Sequence, residues 1–381
     1  MESLQKYGFT IERSKLIYFG LWLIIPFCSF TSHTIVLVPP TLILFFIGAI
    51  VLIGLHPRIH ISTVYSIPMV CASYYLLSQM SIGAPAGRYI GVVAAILYFI
   101  ITVAFGFNLD DKSRDRLISK FINYSTMLLI AECAWRLTHP RAEYAVFDGG
   151  DDSRWIYQYK FGGLMYTDSN AVGIHIIILL FFIYYLEKEQ KASWPKIKIV
   201  LLILLVLTFS RAAWFGFIVG WVYMRYLQNK RVGFYIFNLF LFISAGLLFY
   251  RFYLQAKISS DLSYQSKFDI IGIVLNHFKD ISSSELFLGI GFSNSLERMG
   301  VYAHNFFMVF LIESGIIGLS LMILLLVQFT ISTKLKALYV LVPFLITTLS
   351  STITFMPFFY VVIALIFVFE NKRTESTIHE N

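Results

Sequence analysis

Apolar residues in this chain come in blocks rather than in alternation. Runs of Leu, Ile, Phe and Val extend for about 17 to 22 residues and are apolar on both faces, so neither a strand period nor an amphipathic helix describes them. A helix needs about 20 such residues to cross a hydrocarbon core of roughly 30 Å, whereas a membrane β-strand needs about ten in strict alternation. The pattern predicts twelve transmembrane helices, over about 15–31, 34–55, 62–80, 89–108, 118–137, 171–187, 197–210, 212–227, 233–252, 305–328, 335–351 and 353–370. Composition points the same way: 58% of the residues are hydrophobic, 14% are charged and 37 are Phe, which excludes an ordinary water-soluble globule. The expected fold is an all-α integral membrane protein, one polytopic domain over residues 1–381.

The seventh and eighth segments are short and nearly continuous, and merging them would reverse the sidedness of everything after residue 211. Lys and Arg decide against merging. With Lys6, Arg13 and Lys15 inside, the short loops at 112–120, 188–198, 225–231 and 334–336 also fall inside, and with Arg58, Lys372 and Arg373 they hold 19 of the 30 basic residues. That is the positive-inside bias, and it places both termini in the cytoplasm. The same loops account for the net charge of +8 without a nucleic-acid partner. The first apolar run is long and lacks a small-residue cleavage site, so it is expected to stay as an anchor. Cys28, Cys71 and Cys133 fall in separate spans and read as buried thiols, implying neither a disulfide framework nor a zinc site. There is no Gly-rich phosphate loop and no HExxH, so no cofactor is expected.

Two longer loops lie on the opposite side, 138–170 and 253–303. Long loops are functional or disordered, and the aromatic and glycine content here favours order. The acidic run Asp148, Asp151, Asp152 is too local to imply a metal, and none is expected. Two polar spots on the loop side carry the candidate chemistry: Arg211, in Thr208-Phe-Ser-Arg211-Ala-Ala-Trp214, and His304-Asn305, which runs into a span holding Glu313-Ser-Gly315-Ile-Ile-Gly318. Arg211 either snorkels from a helix end or grips a phosphate-bearing ligand with its guanidinium fork. His304 either caps a helix or accepts a hydroxyl proton near neutral pH. Arg298, Arg251 and Lys160 are plain loop charges or further substrate contacts, and Glu313 either orients the site or pairs with another buried polar group. Glu132 and Arg136, four apart, share a helix face and are expected to neutralise one another, while His175 reads as an interior histidine.

His304-Asn305, nine residues, Gly315, two residues, Gly318 resembles a motif shared by O-antigen ligases and related polysaccharide polymerases. Ser210-Arg211-Ala-Ala-Trp214 is similar to their Ser-Arg-Gly/Ala-Ala-Trp segment, and the Leu288-Gly-Ile-Gly291 turn also fits. The motifs cover about residues 200–325, and the twelve-span layout extends the likeness over the chain. The resemblance implies a multi-pass protein of the bacterial inner membrane, similar to GT-C-type lipid-linked glycosyltransferases, with its site facing the periplasm. It implies transfer of a glycan from undecaprenyl diphosphate to a sugar hydroxyl, without metal or cofactor. His304 would be the base or orienting group for the acceptor and Arg211 the cation on the donor diphosphate. Asn305, Arg298, Lys160 and Arg251 would be substrate contacts, supported by Glu313, Gly315, Gly318 and Trp214. A flippase and a chain-length regulator of the same pathway are candidate partners. Lys160 and the Asp168-Ser-Asn170 run ahead of a span look more like the polymerases, which favours a polymerase over a ligase acting on lipid A-core. A transporter would instead need broken helices and midplane polarity in both halves.

Overall fold

A computed structural model describes residues 13–31, 39–54, 63–144, 152–190, 192–228, 262–301, 304–351 and 356–379, with isolated positions at 231, 235, 238, 239 and 353. Among these residues the regular structure is helical, and the extended contact is a single bridge between Phe161 and Asp168. Helices α1 (Arg13–Ile24), α2 (Pro40–Gly54), α3 (Ser66–Ser81), α4 (Ala86–Gly106) and α5 (Asp111–Thr138) precede the first long loop. Helices α6 (Ser169–Gln190), α7 (Pro195–Leu207) and α8 (Arg211–Gln228) follow it. The second long loop is itself helical in part, with α9 (Leu262–His277), α10 (Ser283–Leu288) and α11 (Ser295–Met299). Helices α12 (Phe306–Ser332), α13 (Leu338–Thr348) and α14 (Pro357–His379) complete the described fold. By length and composition α4, α6 and α12 are long and apolar enough to cross a membrane. The expected span at 233–252 lies almost entirely outside the described residues.

The core is built around helices that are apolar on every side. In α6 nearly every residue from Ala171 to Leu186 is buried, and in α14 the run Phe358–Phe369 is buried likewise; a helix of that character belongs in an interior. Helix α13 packs against α6 and α8, and α4 packs against α14. Aromatic contacts tie them, with Phe344 stacked on Phe359 at 4.4 Å and Phe99 against Phe329 at 4.6 Å. The outward faces are apolar too. On α2, Ile43, Phe46, Ile47, Ile50 and Ile53 are exposed, and on α12 so are Ile316, Ile323, Val327 and Ile331. Apolar stripes of this extent suit hydrocarbon surroundings, and helices are the form whose backbone groups need no outside partner there.

Residues 197–227 form two helices, and side-chain contacts give their directions. Lys198 of α7 sits 2.6 Å from Glu187 near the end of α6, whereas Ser210, just past α7, bonds to Asn170 near the start of α6. Helix α7 therefore runs antiparallel to α6. Helix α8 runs parallel to it, because a Cβ on Gly173 would meet Ala213 and one on Gly220 would meet Phe181. The reversal occurs at Thr208-Phe209-Ser210, where Phe209 takes a positive φ of 52°. Residues 197–227 are therefore two antiparallel helices and not one continuous helix.

Gly220 lies where α8, α6 and α13 converge: an added Cβ would stand 2.4 Å from the Phe181 ring and 2.7 Å from Pro343. Both neighbours are rigid and enclosed. Gly220→Ala is expected to cost about 1–3 kcal/mol by overpacking, read as a lower unfolding temperature of detergent-solubilised protein by fluorescence-detected size exclusion after heating. Gly54→Ala, whose Cβ meets nothing within 4 Å, should leave that temperature unchanged.

Candidate functional site

Arg211 is the exposed first residue of α8, and its position is fixed by the residue before it. The Ser210 hydroxyl accepts from the Ala213 N–H at 3.2 Å, which caps α8, and donates to the Asn170 side-chain carbonyl at 2.7 Å. Asn170 in turn gives its backbone N–H and its side-chain amide to the two Asp168 oxygens, at 3.0 and 2.8 Å. The Asp168-Ser-Asn170 run and the Ser210-Arg211 run are thus parts of one construction joining the N-termini of α6 and α8. Lys160 is built into it through its backbone, whose carbonyl accepts from Ser169 N–H at 2.9 Å, while its ammonium lies 4.6 Å from the centre of the Tyr157 ring. The N-termini of α6 and α8 meet here, the first capped by the Asp168 carboxylate and the second by the Ser210 hydroxyl, and Arg211 begins the second.

His304 is exposed and immediately precedes the cap of α12. Asn305 accepts from the Phe307 and Met308 N–H groups at 3.0 and 3.1 Å and donates to the Leu349 carbonyl at 3.2 Å. It therefore pins the start of α12 to the end of α13. Helix α13 is antiparallel to α8, since Thr347 lies against Gly216 and Pro343 against Gly220. Gly216 is five residues, about 7.5 Å of helix, from Arg211. The chain of contacts Arg211, Gly216, Thr347, Leu349, Asn305 brings both polar spots to one end of the bundle, where the first long loop also folds.

The tenth expected span is not one continuous helix. Gly315 has φ 69° and ψ −176°, a conformation open in practice to glycine alone, so α12 is broken there. A break leaves carbonyls without their usual partners four residues on, and the second long loop supplies replacements. Ile290 N–H donates to Ile312 O at 3.0 Å and Gly291 N–H to Glu313 O at 3.1 Å. Tyr74 and Tyr75 of α3 donate to the carbonyls of Ser314 and Gly318, at 3.0 and 2.7 Å. A Cβ on Gly315 would fall 2.2 Å from the Phe287 carbonyl oxygen, and one on Gly289 would fall 2.4 Å from the Glu313 backbone. Gly289 of the turn and Gly315 of the histidine motif therefore answer a single close approach of two backbones, whereas Gly291 faces the Asn294 and Ala84 side chains.

Glu313 is buried, and its carboxyl group accepts from the Ser295 hydroxyl at 2.7 Å. That bond holds the first residue of α11, which carries Arg298. Arg298 is exposed and 4.0 Å from Glu285, whose carboxyl is held below its usual range by hydrogen bonds from Ser282 within a capping box. Gly318 abuts Ser314 and Tyr74 on the far side of the break, and Trp214 packs edge-on to Phe217 within α8. Arg251, Asp148 and Asp151 lie outside the described residues.

Glu132 and Arg136 form the expected pair at 2.9 Å, both buried, and the pair is joined to the loop by the Met165 N–H on Glu132 and by Arg136 on the Tyr166 carbonyl. The pair thereby docks the first long loop on α5. His175 is buried, stacked 3.9 Å from Phe358 and bonded through Nδ1 to the Tyr166 hydroxyl. The three cysteines are buried and free. Among the described residues no group of three or more His, Cys, Asp or Glu is placed to hold a metal ion. Gln79, Tyr74 and Tyr75 had no place in the sequence-based site. For Gln79 a signal existed, as an amide inside an apolar span; for the tyrosines none did.

No protein-family model matches the chain, and no curated protein does. What fold and site define is a class: an all-α protein with helices able to cross a membrane and a polar, cation-bearing site at one end of the bundle.

Gly315 and Gly300 both have positive φ, at 69° and 72°, but only Gly315 has backbone against its Cβ position. Gly300→Ala is expected to cost about 1–2 kcal/mol of strain alone. Gly315→Ala adds the overlap with Phe287, and should lower the unfolding temperature of the detergent-solubilised protein distinctly further.

Proposed function

We propose that the chain is a metal-independent glycosyltransferase that polymerises a cell-surface polysaccharide, using a glycan carried on undecaprenyl diphosphate. The proposal includes twelve spans in the bacterial inner membrane, both termini in the cytoplasm and the site facing the periplasm. The observation that supports it most is the joining of the α6 and α8 N-termini through Asn170 and Ser210, with Arg211 and Lys160 beside them, at the bundle end that also holds His304.

In this reading His304 takes the proton of the acceptor hydroxyl as its oxygen bonds to the anomeric carbon. The bond from that carbon to the diphosphate oxygen breaks, and the departing charge meets Arg211, Lys160 and the two helix N-termini. The donor is already activated on its lipid, so no nucleotide-binding domain is needed. Polymerase is preferred to ligase because Lys160 and the Asp168-Ser-Asn170 run, the features of the polymerase resemblance, belong to the same construction as Arg211.

The test is surface polysaccharide resolved on a gel, from a deletion strain complemented with wild type, His304→Ala or Arg211→Ala, with membrane levels of each variant matched. Wild type should restore a ladder, and each variant should leave lipid A-core capped by one repeat unit, a loss of about 10²–10⁴-fold in transfer for the base. Long chains stranded on the carrier lipid with uncapped core would mean a ligase instead. Unchanged ladders in both variants would sink the catalytic assignment.

A further inference from the structure

We infer that Gln79 of α3 is a positioning residue for the transfer site, acting through Arg298; the inference rests on the function proposed above. Gln79 is fully buried, yet its side chain bonds only to distant parts of the chain. Its Oε1 accepts from the Phe292 N–H at 2.7 Å, and its Nε2 donates to the Glu313 carbonyl at 3.3 Å. One planar amide thus spans the docked segment and the broken helix, supplying one acceptor and one donor at a fixed separation. Three residues after Phe292, the Ser295 hydroxyl bonds to the Glu313 carboxylate at 2.7 Å, closing a second tie between the same two segments.

Arg298 follows three residues later in α11, on a helix whose outer residues Leu296, Glu297 and Arg298 are exposed. Its backbone is therefore placed from the inner side, by the ties at Phe292 and Ser295. Ala at 79 would leave the buried Phe292 N–H without its acceptor and would remove one of the two donors on the Glu313 carbonyl, the Gly291 N–H remaining, which loosens the hold on the segment. The ordered position of the Arg298 cation is then lost while Arg298 itself remains. Gln79 touches no substrate in this arrangement, and its effect on transfer passes through the docked segment.

The experiment is a double-mutant cycle on the full chain reconstituted in vesicles, following elongation of undecaprenyl-diphosphate-linked oligosaccharide extracted from the deletion strain. Gln79→Ala and Arg298→Ala should each lower transfer about tenfold, and the double variant should fall no further than about tenfold, because both remove the same placed cation. A product of the two losses, near 100-fold, would overturn the inference, as would silence of either single variant. If Gln79→Ala fails to accumulate, Gln79→Glu keeps the size and the acceptor for Phe292 while losing the donor, and enters the same cycle. If the wild type transfers nothing, the proposed function has failed, and trypsin cleavage after Arg298 in the intact protein decides the docking separately. Faster cleavage in Gln79→Ala than in wild type supports it, and equal rates overturn it.

Discussion

A backbone carbonyl inside an apolar bundle must find a donor within the protein, and the break in α12 makes that requirement acute. At Gly315 the helix forfeits its own repeat of hydrogen bonds, in surroundings where each lost bond costs a few kcal/mol (about 1–3). The donors that replace them come from two separate places: the backbone of Ile290 and Gly291, and the side chains of Tyr74 and Gln79 on α3. Both sets meet the same break, so the break, the glycine turn and α3 form one unit. The unit gives the second long loop a fixed attachment beside the first turns of α12, the turns that His304 and Asn305 begin.

The opposite flank is organised by the same need applied to helix starts. First-turn N–H groups lack partners within their own helix, and at α8 the group that answers is Ser210. Because Ser210 also reaches Asn170, the capping of one helix fixes its distance from another. The small residues Gly173 and Ala213 allow that approach, with no room for a side chain at Gly173. The parallel course of α6 and α8 points the positive ends of both helix dipoles in one direction.

Much of this was legible in the chain, and the physical reasons for the remainder are specific. Apolar blocks of spanning length mark the helices because hydropathy reports burial and hydrocarbon contact directly, and the basic residues at 225–231 separated α7 from α8 where hydropathy alone could merge them. The four-residue spacing of Glu132 and Arg136 gave their pairing, since a helix face is a local property. The break at Gly315 was hidden for the opposite reason: residues on both sides of it are apolar, and hydropathy carries no information about φ. The motif spacing registered the glycines as important without saying why. The join between Asn170 and Ser210, and the ties of Gln79 to Phe292 and Glu313, connect residues far apart in sequence, which no period can announce.

The distribution of charge separates buried groups that hold the fold from exposed ones at its surface. Glu132, Arg136 and Glu313 are buried and bonded within the protein: a guanidinium and the Met165 amide on Glu132, a carboxylate and a carbonyl on Arg136, a hydroxyl on Glu313. Buried charges so met act as anchors, and what they anchor is the two long loops. Arg211, His304 and Arg298 are exposed, and all three are carried by segments that those anchors or a helix cap hold in place. Under the proposed function, a cation that receives a diphosphate has to stay reachable, and a reachable cation is useful only if its backbone does not wander. Burying the anchors and exposing what they position satisfies both conditions within one bundle.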